Sequence, residues 1–573
     1  MGTISDKLMR IINTKEDIRQ ALISKGYDVP TSIPFKEYAK MILDLPCKVD
    51  SFPDIEGIVA RYSASGLTNE QMAANPVWVD KTGNGHDLQL KNFAWKGMSG
   101  VGGYVADIDE WGTNSTAAYF ERNSIKITAT FKENVSLGLL YHNIKLRQSC
   151  VLKVTGIPEG CDAFLDDRLG NRFYMSEDGV YEIIPSNFLA EALYFSIEKY
   201  PERWYGSKLT IEQLPLYPGA LVFDGVDDYG VCDNFPILTK EKGYTVVALR
   251  QWDQDFLNTT LTGGLLSTRN YSTGEGVAFE KIESSSKGYW NLGAGGIIDF
   301  AKSPFTWQTS KQYNNVGILK GGKNHGKPLC VGCGLSGGQQ CGRFAIWELV
   351  ILDHDATEEE LTKIKDYFVK TYPWLFPDQA WTVVGKTNED EDRATIANIT
   401  GNGNDLVLSN FGFAEGSGYN EEGEYAGYLV TDGVDDKIIS SIFKMGNDWT
   451  VIGDWELINT GKNDNAGIVK FDSIVIYNYN PILINIKNGR NNLIPDQNTV
   501  NAICSDGRIY SKDWKESIYN EETESTSKNF LTIGYSGNAY TKIAFKNLAI
   551  YPTVLSREDC IKAYNYLQTL KAK

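Results

Sequence analysis

Three groups of side chains in this 573-residue sequence have the types and spacing to do chemistry. His325, Cys330, Cys333 and Cys341 run H-x4-C-x2-C-x7-C and carry the ligand types of a tetrahedral zinc site. Against that reading, Cys330 and Cys333 fall in an apolar run predicted as strand, where residues three apart face opposite sides. Asp224, Asp227, Asp228 and, further on, Asp432, Asp435, Asp436 cluster carboxylates of the kind calcium takes. The same Asp-Gly wording is also hairpin chemistry, with glycine supplying a positive φ and aspartate bonding its own backbone. The third group is Glu389-Asp390-Glu391-Asp392. A glycosidase of the β-sandwich type needs two carboxylates on alternate positions of one strand, and this run, flanked by Asn388 and Arg393, reads instead as a solvated loop. GGKNHGK at 321–327 lacks the spacing and the Ser/Thr of a phosphate-binding loop. None of the four histidines (86, 142, 325, 354) stands in a nucleophile motif. No catalytic residue, metal ligand or cofactor is assigned, and the expectation is a protein that is not an enzyme. Trp95, Trp111, Trp204, Trp290 and Trp307 sit in loop-like contexts from which they could stack on sugar rings, but the sequence does not choose among them, and the glycan-binding residues stay unassigned.

The elements that would position these groups are written twice. DKTGNGHDLQLKNFAW at 80–95 returns as NITGNGNDLVLSNFGF at 398–413, GALVFDGVDDYG at 219–230 as AGYLVTDGVDDK at 426–437, and FAIWELVILDHDATEEEL at 344–361 as IAFKNLAIYPTVLSREDC at 543–560. Three blocks in one order imply a duplicated domain. Gly83 matches Gly401 at a separation of 318 and Gly225 matches Gly433 at 208, so about 110 residues are inserted into the first copy. The insert alternates apolar and polar residues in SIKITATF, VLKVTGI, ALYFSIE and LTIEQL, which predicts a small β-sandwich of its own. Its two ends must lie together, because the chain leaves and re-enters the host fold at one place. The expected division is a helical segment at 1–45, a first sandwich from 50–99 and 218–375, the insert at 100–217, and a second sandwich at 376–573. Each copy closes on an apolar strand and a helix capped by Thr357 or Ser556.

Composition sets outer limits. A formal charge of −17 gives no basic field to gather phosphates, so nucleic-acid binding is disfavoured. The sequence has no apolar run of the roughly 20 residues needed to span a bilayer, so membrane insertion is not expected. Nine scattered cysteines without framework spacing predict free thiols in a reducing compartment.

The repeated blocks resemble the laminin-G-like branch of the concanavalin-A-like lectin/glucanase fold. The residues that carry the likeness are Phe223-Asp224-Gly225-Val226-Asp227-Asp228-Tyr229, Tyr244-Thr245-Val246 and Ala356-Thr357-Glu358-Glu359-Glu360, with Thr431 to Asp436, Trp449-Thr450-Val451 and Leu555 to Asp559 in the second copy. The second copy departs at Thr431 and Lys437, where the pattern has Phe and Tyr. The resemblance implies a mostly all-β chain with two jelly-roll sandwiches. TISDKL at 3–8, TKEDIRQALISKG at 14–26 and FKEYA at 35–39 are similar to the leader of tail, baseplate and fibre proteins of tailed bacteriophages. That likeness implies a virion appendage, such as a tail fibre or head fibre, assembled in the host cytoplasm. Residues 1–45 would contact other virion proteins and support a homo-oligomer through Leu8, Ile11, Ile12, Ile18 and Leu22, while the sandwiches bind host or environmental glycans. The alternatives are a carbohydrate-binding protein outside a virion and a glycan depolymerase.

Overall fold

The computed structural model describes Lys15 and residues 52–572, except for 106–111, 133–138, 184–191, 269–277, 300–308, 312–328, 459–466, 519–530 and shorter breaks between strands. The proposed attachment residues Leu8, Ile11, Ile12, Ile18 and Leu22 lie outside the described residues, and so does His325. Residues 55–573 form one compact unit. It is built almost wholly of antiparallel strands, and two of its sheet pairs follow the same plan.

In each copy one long strand organises a sheet. Arg343–Leu352 pairs along one edge with Thr245–Trp252, and along the other with Ile58–Ser63 and then Leu221–Asp224. Ile543–Tyr551 does the same with Thr450–Leu457, Gln379–Thr382 and Leu429–Val430. Even the irregularity repeats, since the register slips between Leu249 and Arg250 in one copy and between Asp454 and Trp455 in the other. The facing sheets run through eight strands in the same order, from Val77–Trp78 to Ile297–Asp299 and from Thr395–Ile396 to Arg490–Leu493. Strict alternation drives these pairings: Leu88–Lys91 and Leu406–Ser409 each bury their leucines and expose the residues between. Two cores result. Trp78, Phe223, Trp252 and Phe344 fill the first, and Trp381, Trp449, Trp455 and Phe545 the second.

The insert forms two five-stranded sheets around a third core that includes Ile127, Leu152, Phe195 and Trp204. Its ends meet as the topology demands. Tyr217 and Leu216 donate their amides to the carbonyls of Gly102 and Gly103, and Gly102 donates to Ala220, at 2.8–2.9 Å.

The three sandwiches do not hang as separate beads. The long central strand of the first copy is buried at every position after Arg343, so its outward face also needs cover. A shared apolar cluster supplies it. Trp347 and Ala345 from the first copy, Ala549 and Tyr551 from the second, and Ala563, Tyr566 and Leu567 from the final helix Arg557–Leu567 pack together. Both predicted helix caps form: Thr357 and Glu360 make a reciprocal capping box, and Ser556 accepts from the Asp559 amide.

Candidate functional site

The two Asp-rich turns are the same object built twice. Asp224 accepts from the amides of Val226 and Asp227, the Asp224 amide bonds Asp228 Oδ2, and Ser99 Oγ donates to Asp228 Oδ1 at 3.0 Å. Asn92, held at φ 67°, donates to the Asp227 carbonyl. In the second copy Asp432, Asp436, Ser417 and Asn410 repeat every one of these bonds. The carboxylate oxygens of each triad come within 4.8 Å of one another, yet the internal bonds alone explain why the set recurs. Such a network closes a turn, as Asx chemistry does elsewhere. The departure at Thr431 is explained as well: its hydroxyl donates to the Thr541 carbonyl and accepts from the Ile543 amide, replacing the packing that Phe223 provides.

Burial pushes the Asp228 carboxyl up to about 7, with the charges of Asp224 and Asp227 acting in the same direction, while Asp436 is pushed up to about 6 by the same cause. A carboxyl that binds its proton more tightly when folded stabilises the fold fully below about pH 4, and that contribution fades as pH rises through about 7. The melting temperature of wild type minus that of Asp228→Asn is therefore expected to fall between pH 5 and pH 8. A difference that stays flat across this range would show that the carboxyl is already ionised at pH 5.

The sulfur cluster corrects the expectation that all cysteines are free. Cys330 and Cys333 form a disulfide, while Cys150, Cys161, Cys232, Cys341, Cys504 and Cys560 stay as buried thiols. The strand argument failed because the strand is interrupted. Gly332 takes φ +89° between Leu329–Val331 and Cys333–Leu335, and the reversal brings two sulfurs three residues apart onto one side. Only glycine fits there, since a Cβ would stand 2.4 Å from the Phe223 ring. With Cys330 and Cys333 bonded to each other, neither is a thiolate ligand. Cys341 lies opposite Cys333 on the neighbouring strand, its thiol pushed up to about 12 by burial and by the nearby aspartates.

A concave feature able to hold a ligand lies outside the repeated blocks. A cleft of about 480 Å³ opens between the insert and the second sandwich. One wall is the corner where the chain passes from Arg172–Met175, an edge strand of one insert sheet, to Gly179–Ile183, an edge strand of the other, and it presents Phe173, Tyr174, Ser176, Glu177 and Tyr181. The other is Asn501, Trp514 and Tyr564 of the second copy. Both walls are held. Asp178, in the connection between these two strands, accepts from the amides of Gly156 and Ile157 at 2.6 and 2.8 Å, and Tyr181 Oη donates to the Glu177 carbonyl. Trp514 sits at φ +59°, a region that costs a non-glycine residue of the order of 1–3 kcal/mol. It is fixed there by its own amide bond to the Ser511 carbonyl, by Arg557 Nε donating to its carbonyl at 3.0 Å, and by the Tyr564 ring edge-on at 5.6 Å.

Of the five tryptophans considered from the sequence, Trp204 is core and Trp95 stacks on Phe93 at 4.8 Å at the margin of the first core. Trp111 and Trp307 and the side chain of Trp290 lie outside the described residues. Trp514 was the aromatic to notice, an isolated indole in the charged stretch Ser511-Lys512-Asp513-Trp514-Lys515.

No family model matches this chain, and no curated protein does. Among solved structures, a Trypanosoma rangeli sialidase in complex with sialic acid is similar over 78% of this chain and 83% of its own, at 8% identity and a TM-score of 0.25. The receptor binding domain of a botulinum neurotoxin C/D mosaic serotype is similar over 59% of this chain and 88% of its own, at 11% identity and a TM-score of 0.23. Likeness at this level carries no argument about what this chain binds or does. Its mostly-β sandwich architecture stands on its own sheets.

Proposed function

We propose that this chain is a non-enzymatic adhesive subunit of a tailed-phage virion, in which residues 1–45 join it to the particle and to its own copies and the sandwiches present a glycan-binding surface. The observation that carries the adhesive part is the cleft. The polar residues of the Asp-rich blocks that the two copies share are taken up in building the same turn twice, whereas the residues that meet at the cleft come from the insert and from one copy only. A scaffold repeated for stiffness, with one unrepeated concave aromatic surface, is the arrangement a display protein needs. The virion part rests on the leader-like wording of residues 3–39. Deleting residues 1–45 is expected to abolish particle incorporation and self-association while leaving glycan binding intact, measured by particle pull-down and light scattering. A truncated chain that assembles as the full chain does would overturn the attachment role.

A further inference from the structure

We infer that the cleft between the insert corner at 173–181 and Trp514 is a site for a neutral saccharide, with Tyr174 as the stacking platform and Glu177 as the hydroxyl acceptor. This inference rests on the adhesive reading above and narrows it to one place and one class of ligand.

Size comes first. At about 480 Å³ the cleft falls within the roughly 300–1,000 Å³ typical of small-molecule sites. Its lining is the mixture that a pyranose asks for. A sugar ring has apolar C–H faces and a rim of hydroxyls, so it needs flat aromatic surface beside groups that both donate and accept. Tyr174 is 46% exposed, and its hydroxyl accepts from Arg172 Nη1 at 3.3 Å, which fixes the ring beside the opening. Trp514 and Tyr564 close the floor with almost no exposure, and Asn501 brings an amide to the wall at 5%. Glu177 and Ser176 stand exposed at the rim.

Charge selects among sugars. Glu177 is the one charged side chain among the described residues that line the cleft, and Asp178 follows it in sequence. An ionised carboxylate accepts from two vicinal hydroxyls at once but repels an acidic sugar, so the cleft favours neutral hexoses and disfavours sialic or uronic acids. A quaternary ammonium could also meet aromatic rings and a carboxylate. The volume is too large for that small cation.

The site is preformed. The Asp178 anchor, the pairing of each flanking strand with its neighbour in its own sheet and the locked backbone of Trp514 leave little to order on binding, which lowers the entropic cost of association.

The test uses the full chain on a glycan array carrying neutral and sialylated oligosaccharides, followed by calorimetric titration of the best neutral glycan. Tyr174→Ala is expected to weaken binding at least tenfold and Glu177→Gln several-fold. Tyr119→Ala, which removes another exposed aromatic on the strand at the opposite edge of the sheet that carries Tyr181, should leave affinity unchanged. Circular dichroism confirms that the variants fold. Neutral-glycan binding that Tyr174→Ala and Glu177→Gln do not alter would overturn this site and leave the adhesive reading standing. Preference for sialylated glycans, or for choline chloride over any sugar, would overturn the ligand class. Binding to no glycan would overturn both the site and the adhesive reading.

Discussion

Replacing Trp347 with alanine is expected to destabilise the compact unit by about 3–5 kcal/mol, the range for removing a large buried aromatic. Its indole is 1% exposed and serves three parts of the chain at once. Nε1 donates to the Pro218 carbonyl at 2.8 Å, where the insert rejoins its host. One side of the ring meets Tyr217 at 6.5 Å and another meets Tyr566 of the final helix edge-on at 5.8 Å. Urea denaturation measures the loss. A second readout separates this role from simple core damage: amide exchange in the helix Arg557–Leu567, about 200 residues away in sequence, should rise in Trp347→Ala because the helix loses the surface it packs on. A loss below about 1 kcal/mol with unchanged exchange in that helix would show that the seam closes without the indole.

That seam marks where sequence reasoning reached its limit. The apolar run AIWELVIL announces burial on both faces of a strand, but hydrophobic pattern does not say which surface supplies the second cover. The Asp-Gly turns and the Ser/Thr caps were legible because their Asx and capping bonds close within five residues, whereas the bonds that Ser99 and Asn92 add to the first turn come from far along the chain. The insert's closed ends followed from topology alone. The disulfide was missed because cysteine count and spacing across the whole chain say nothing of a local reversal, and Gly332 makes one between two cysteines only three residues apart. The cleft was out of reach because its walls lie more than 300 residues apart, at 173–181 and 501–564, and meet only when the insert docks on the second sandwich.

The duplication also supplies its own control for the buried charge pair of the first copy. Arg61, 4% exposed, bonds Glu348 at 3.3 Å and Tyr367 Oη at 2.8 Å, while Tyr372 Oη donates to the other oxygen of Glu348 at 2.8 Å. Register identifies the equivalents in the second copy. Arg61 faces Val350 as Ala380 faces Ala549, and Glu348 faces Ser63 as Asn547 faces Thr382. One position in this fold therefore carries an Arg/Glu pair in one copy and Ala/Asn in the other. Removing one partner leaves the other charge buried, at an expected cost of about 3–5 kcal/mol for Arg61→Ala or for Glu348→Asn. The two losses should differ with pH. Burial already holds the Glu348 carboxyl above its usual range against the pull of Arg61, so in Arg61→Ala it rises further. The neutral acid then relieves the penalty at low pH, and the cost of Arg61→Ala should be smaller at pH 5 than at pH 8. The double variant Arg61→Ala/Glu348→Asn installs the second copy's solution and leaves no uncompensated charge. Its cost should fall below the sum of the two single losses by about 2–3 kcal/mol in a urea-denaturation cycle. Strict additivity would mean that the pair is not coupled and that its two members stabilise the first sandwich separately, through Tyr367 and Tyr372.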